Sequence, residues 1–204
     1  MDETPQKINE LMETVVLILM MMVIFSFVLK ISCHSLLGAG AVSGVVALAV
    51  GLSWPLAIEQ SQTQIADWLQ DAPLMKDLSV VLTMDVAMNM AFCVLYARRT
   101  LHDRLPGSLR VVLAVLRWMP GVLIFPTMFG VLVSAIFAFP GADFSGVAWT
   151  LAGIFLLAAV GLSYGLKILL PEVESRLELT FLLQALTAVL GVIATVNGCT
   201  VVSA

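Results

Sequence analysis

The stretch DLSVVLTMDVAMNMAFCVLYA, residues 77–97, decides how this chain is read. A helix crosses the hydrocarbon of a bilayer with about 20 residues, and this segment has that length and is apolar through its centre except for Asp85 and Asn89. Asp85 is the only carboxylate lying well inside any apolar run of the chain. An acid at that depth costs at least about 2.5–3.5 kcal/mol on insertion scales, so it is expected to be neutralised, paired or turned toward a polar cavity.

Five further apolar runs flank it, giving segments near 14–32, 36–57, 77–97, 119–139, 146–169 and 180–203. They are continuously apolar and too long for the alternating strands of a closed barrel. The expected fold is therefore all-α: a polytopic integral membrane protein, one transmembrane domain over residues 1–204, a bundle of six helices with short interfacial helices. Composition agrees, since 60% of the residues are hydrophobic and 12% charged, against about 25% charged in soluble domains. The mean hydropathy is +1.04. No polar segment approaches the roughly 40 residues that an unaided soluble core requires.

Orientation follows from the basic residues. With the segment after residue 97 on the cytoplasmic side, that side collects Lys30, Arg98, Arg99, Arg104, Arg110, Arg117, Lys167 and Arg176, and only Lys7 and Lys76 lie opposite. Basic residues concentrate on cytoplasmic loops, so both termini are expected outside the cytoplasm and the host is expected to be a bacterial inner membrane. Residues 58–76 carry Ile65, Trp68 and Leu69 on one helical face, which predicts a short helix on the outer surface or a docking surface for a partner. Residues 109–118 are either an amphipathic helix on the inner surface or part of a fourth span broken at Pro120 and again at Pro126, where a proline inside a helix removes a backbone hydrogen bond.

Asp85, Asn89, Cys93 and Tyr96 share one face at helical spacing. Asp85 with Asn89 is the candidate proton or ion site, because burial disfavours the ionised form of a carboxylate. The competing reading is a buried acid hydrogen-bonded to a neighbouring helix. Gln184, Thr195 and Asn197 on the last span are the candidate polar partners. Gly40, Gly44, Gly161, Gly165 and Gly191 are candidate helix-packing positions, since small residues let membrane helices approach closely. Pro120 and Pro126 are the candidate kink.

Other chemistry finds little to stand on. Cys33, Cys93 and Cys199 form no CxxC pair, and His34 and His102 have no second ligand at metal spacing, so no metal is expected. GxSxG, HExxH, the P-loop and a GxGxxG opening a helix are all missing, so neither enzyme activity nor a cofactor is expected. The acidic residues Glu172, Glu174 and Glu178 beside Arg176 read as a solvated connection with local ion pairs. Nucleic-acid binding has no basic footprint. The lipid bilayer is one partner, and other integral membrane subunits are the expected protein partners. Two functions remain: a non-catalytic subunit that stabilises or regulates a larger, proton-motive-force-driven transport or energy-transducing complex, or a small proton-coupled secondary transporter, then a possible homodimer, with Asp85 as the coupling site.

Overall fold

The computed structural model describes residues 3–59, 72–101, 106–139 and 141–202, and the side chains of 14–59, 79–100, 106–139 and 141–193. Every regular element among them is a helix: α1 (Glu3–Ser32), α2 (Leu36–Leu52), α3 (Trp54–Glu59), α4 (Ala72–Leu101), α5 (Gly107–Trp118), α6 (Ile124–Ala138), α7 (Phe144–Leu169) and α8 (Val173–Val202). Most of the expected surface helix at 58–76 lies outside the described residues.

Among the described residues, four helical segments are long and apolar enough to cross a membrane: Thr14–Ser32, Ser79–Thr100, Phe144–Leu169 and Val173–Ile193. The other two expected spans are each divided. Run 36–57 breaks at Ser53, whose N–H donates to the Ala49 and Val50 carbonyls and whose hydroxyl donates to Val50 O at 2.9 Å, closing α2 after 17 residues. Run 119–139 becomes helical only at Ile124 and gives the 15 residues of α6. This corrects the expected kink at Pro126. Pro126 falls in the first turn of α6, where a missing N–H has no intrahelical partner to lose, so it begins the helix rather than bending its middle.

Residues 109–118 belong to a helix of their own, α5, bounded from α6 by Met119 and Pro120. Met119 is extended, with φ −78° and ψ 120°, as the residue before a proline is driven to be. Leu113 and Leu116 of α5 are buried against Cys33, Phe92, Cys93 and Leu177, while Val111, Val115 and Trp118 remain exposed.

The main packing partners are α4 with α8, α2 with α7, and α1 with α8. One core joins Phe27, Val28 and Ile31 of α1 to Val46 of α2, Leu132 of α6 and Phe155 of α7. The outer surface is apolar: Leu37 is 87% exposed and Leu157 75%. Meanwhile Ser26, Lys30, Asp85, Asn89, Arg176 and Gln184 are buried. Polar groups inside and apolar groups outside suit lipid as the surrounding solvent.

The end of α1 organises one end of the bundle. The last carbonyl of α1 has no intrahelical donor, and three cations from three other helices meet it and the two carbonyls that follow: Arg176 Nη1 donates to Ser32 O at 2.7 Å, Arg117 Nη2 to Cys33 O at 3.4 Å, and Lys167 Nζ to His34 O. Cations at a helix C-terminus also meet its negative dipole end favourably. Ser35 then caps α2 by accepting from Gly38 N at 3.2 Å.

Candidate functional site

The site begins with the turn between α5 and α6. Gly121 has φ +100°, a left-handed conformation that suits glycine because no Cβ obstructs it. A Cβ there would also stand 3.1 Å from Asp85 Oδ1. With that approach open, Asp85 Oδ1 accepts hydrogen bonds from the N–H of Val122 and, at 3.4 Å, of Leu123. Leu123, the residue before α6, makes no capping bond with its own side chain. A carboxylate from α4 therefore anchors the two amides that lead into α6, at the positive end of its helix dipole.

The other oxygen of Asp85 faces back along its own helix. Asn89 Nδ2 donates to Asp85 Oδ2 at 3.0 Å, and Lys30 Nζ donates to Asn89 Oδ1 at 2.8 Å. The amide is thereby oriented, its oxygen toward the ammonium and its nitrogen toward the carboxylate. Asp85 is 4% exposed, Lys30 4% and Asn89 5%. An ammonium and a carboxylate bridged by one amide leave this interior without net charge, which is how charged side chains are tolerated at such depth. Lys30 also lies over the Phe92 ring, 5.3 Å from its centroid, within the range of a cation–π attraction.

Beside this chain lies a void of about 10 Å³ bordered by Ser26, Lys30, Asp85, Asn89, Gln184 and Thr187, together with Pro120 and Gly121. Gln184 Nε2 donates to Ser26 Oγ, and its Oε1 has no partner. Thr187 donates to Leu183 O at 2.8 Å within α8. The structure thus brings together Asp85, Asn89, Gln184 and Pro120 of the candidate residues. The side chains of Thr195 and Asn197 lie outside the described residues. A second cation at Asp85 would meet the charge of Lys30, so the arrangement accommodates a capped helix start more readily than an added ion.

The glycines divide into two groups. A Cβ on Gly191 would collide with Leu82, and one on Gly51 would stand 2.9 Å from Trp149, so these two positions permit close packing within the chain. At Gly40, Gly44, Gly161 and Gly165 a Cβ would meet nothing within 4 Å. Among the described residues, no part of the chain packs closely against them. Glu174 and Glu178 lie on α8 rather than in a loop and are exposed. Arg176 has turned inward to Ser32 and does not form the expected local ion pairs.

Lys30 is the residue that sequence reasoning missed, having counted it only as a charge at the membrane face. Its spacing carried a signal: Met22, Ser26 and Lys30 recur every four residues and so share one face of α1. His34, just past α1, is also buried, and neither ring nitrogen has a hydrogen-bond partner. Burial, followed by the charge of Arg117, holds the imidazole below its usual range. The Cys33 thiol is pushed up by burial.

No protein-family model matches the sequence, and comparison with curated proteins and with solved structures gives no match either.

Proposed function

We propose that the chain is a non-catalytic integral membrane subunit that stabilises or regulates a larger membrane complex. The observation that carries this reading is the way Asp85 is engaged: both oxygens are bound, to the start of α6 and to Asn89, beside a void of only about 10 Å³. Small-molecule sites have about 300–1,000 Å³ with several convergent polar groups. The larger hollows open sideways instead. One of about 460 Å³ lies between Cys93, Val94 and Ala97 of α4 and Leu177, Phe181 and Leu182 of α8. Another of about 500 Å³ lies along Leu17, Ile18, Met21 and Phe25 of α1. Hollows of this kind, with the outward Gly40, Gly44, Gly161 and Gly165, leave room for helices of neighbouring subunits.

In this reading the chain crosses a bacterial inner membrane six times, with α3 extending α2 and residues 119–123 leading into α6 to complete the two shorter crossings. The end carrying Arg117, Lys167 and Arg176 faces the cytoplasm, following the bias of basic residues. The host complex is a proton-motive-force-driven transport or energy-transducing assembly. Native mass spectrometry of the gently solubilised, endogenously tagged chain tests the proposal. Reproducible heteromeric assemblies with other membrane proteins are expected, and a lone monomer or homodimer would sink it. One observation favours a second reading, a proton-coupled secondary transporter: a carboxylate placed at the free amides of an interrupted helix resembles the way transporters build ion sites. Proton-coupled uptake by the purified chain in liposomes, lost in Asp85→Asn, would support that reading instead.

A further inference from the structure

Asn89 holds Lys30 and Asp85 together while keeping a proton from passing directly between them. Its Oδ1 accepts from the ammonium and its Nδ2 donates to the carboxylate, and an amide relays a proton only by becoming an imidic acid. The void beside it borders both charged groups. It also borders Gln184, which is 3% exposed and whose Oε1 is an acceptor without a donor. Buried polar groups are almost always satisfied by protein or by ordered water, and a void of about 10 Å³ is close to the 10–15 Å³ that one water occupies on this measure. Such a water needs two to four polar partners. Gln184 Oε1 and Asp85 can accept from it, and Lys30 can donate to it, since an ammonium has three donors and Asn89 takes one.

We infer that this void is a single-water site, bridging Gln184 to Lys30 and Asp85, and that the water is the route by which the buried ammonium and carboxylate exchange a proton. In the exchange an Nζ–H bond of Lys30 breaks and its electron pair stays on nitrogen. The proton joins the water oxygen, and the water releases one of its own protons to an Asp85 oxygen. A neutral amine and a carboxylic acid result, and the total charge of the cluster is unchanged. Among the described residues no other titratable group faces the void: α1 contributes Lys30, α4 contributes Asp85 with the amide Asn89, the lead-in and start of α6 contribute Pro120, Gly121 and Ile124, and α8 contributes Gln184 and Thr187. The inference stands on this geometry alone and holds in either reading of function.

Water-edited solid-state NMR of the full chain in lipid vesicles tests it, with ¹⁵N-lysine and ¹³C-aspartate labels and with Lys30→Met and Asp85→Asn to assign the two signals. Magnetisation is expected to pass from water protons to both Lys30 Nζ and Asp85 Cγ. Gln184→Leu should abolish both transfers and Gln184→Glu, which keeps an acceptor, should retain them. Thr180→Val, buried on the same helix away from the void, should change nothing. If Gln184→Leu does not fold, Gln184→Met takes its place in the comparison. Absence of transfer to either group in the natural chain, or transfer that survives removal of the Gln184 acceptor, would overturn the assignment.

Discussion

Replacing Asp85 by asparagine preserves shape and reverses the hydrogen-bonding sense of one atom. If the new side-chain oxygen keeps the Val122 and Leu123 amides, its NH₂ faces Asn89 Nδ2, donor against donor. Turning the Asn89 amide to repair that contact points its NH₂ at the Lys30 ammonium instead. One link is therefore lost whichever way the amides settle, and Lys30 loses its carboxylate. A hydrogen bond to a charged group contributes about 1.5–3 kcal/mol, and breaking a buried charge pair by removing one partner costs about 3–5 kcal/mol. Asp85→Asn and Lys30→Met should thus each destabilise the chain by about 3 kcal/mol. The double variant leaves neither charge buried alone, so it should cost about the same as either single change, a coupling of about 3 kcal/mol at the upper end for contacting residues. Reversible unfolding of the purified chain in mixed micelles, titrated with SDS and followed by tryptophan fluorescence, gives all three values. Single variants within about 0.5 kcal/mol of the natural chain, or costs that add to within that margin, would refute the claim that these residues act as one unit.

Gly121→Ala should cost about 1–3 kcal/mol from left-handed strain plus the crowding of Asp85 Oδ1, whereas Gly141→Ala, at φ +95° in open space, should show the strain alone; equal costs would refute the close approach. Arg176→Met should destabilise by about 1–3 kcal/mol through the unpaired Ser32 carbonyl, measured in the same unfolding titration. Because the folded environment lowers the proton affinity of His34, the unfolded chain protonates first. Stability is then full at neutral pH and falls as pH drops below about 6.5; His34→Gln should flatten that dependence, and an unchanged slope would assign it elsewhere. A photo-crosslinking residue at Val94 or Leu182, both exposed in the groove between α4 and α8, should give adducts with a defined membrane polypeptide in native membranes. Lipid adducts alone would count against a neighbouring subunit there.

The all-helical character with membrane-length apolar helices, and the burial of Asp85, were legible in the sequence because long apolar runs and a lone acid within one of them are local signals. Asn89, one helical turn from Asp85, was legible as its neighbour, but its other two partners were not, because they are backbone amides 37 and 38 positions away and carry no side-chain signature. The turn that presents them was half visible: Pro120-Gly121 reads as a break, but only the φ of Gly121 aims the next two amides at α4. The expected kink at Pro126 failed for a related reason. Apolar character runs unbroken across 119–139, so hydropathy places that proline in the middle of a span, whereas the helix starts five residues later and Pro126 enters its first turn. Gly40, Gly44, Gly161 and Gly165 show the limit of the small-residue pattern, since it marks where a helix can approach and not which helix does.

The basic residues require the most careful accounting, because one charge can satisfy two constraints. Of the eight assigned to the cytoplasmic side, Arg117, Lys167 and Arg176 are committed to the carbonyls of Cys33, His34 and Ser32, at and just past the end of α1, and Lys30 to Asn89 beside the buried acid. Arg98, Arg99 and Arg110 remain exposed, and Arg104 lies outside the described residues. A charge count that treats all eight as topological signals overstates their independence, since four have structural work that requires a cation whichever way the chain is inserted. Yet the two roles converge physically. The C-terminal end of α1 attracts cations through its free carbonyls and dipole, and the cytoplasmic face retains cations during insertion. In the proposed orientation, α1 ends on the cytoplasmic side, which lets Arg117, Lys167 and Arg176 meet both demands at once and leaves Lys30, one turn deeper, within reach of the chain that leads to Asp85.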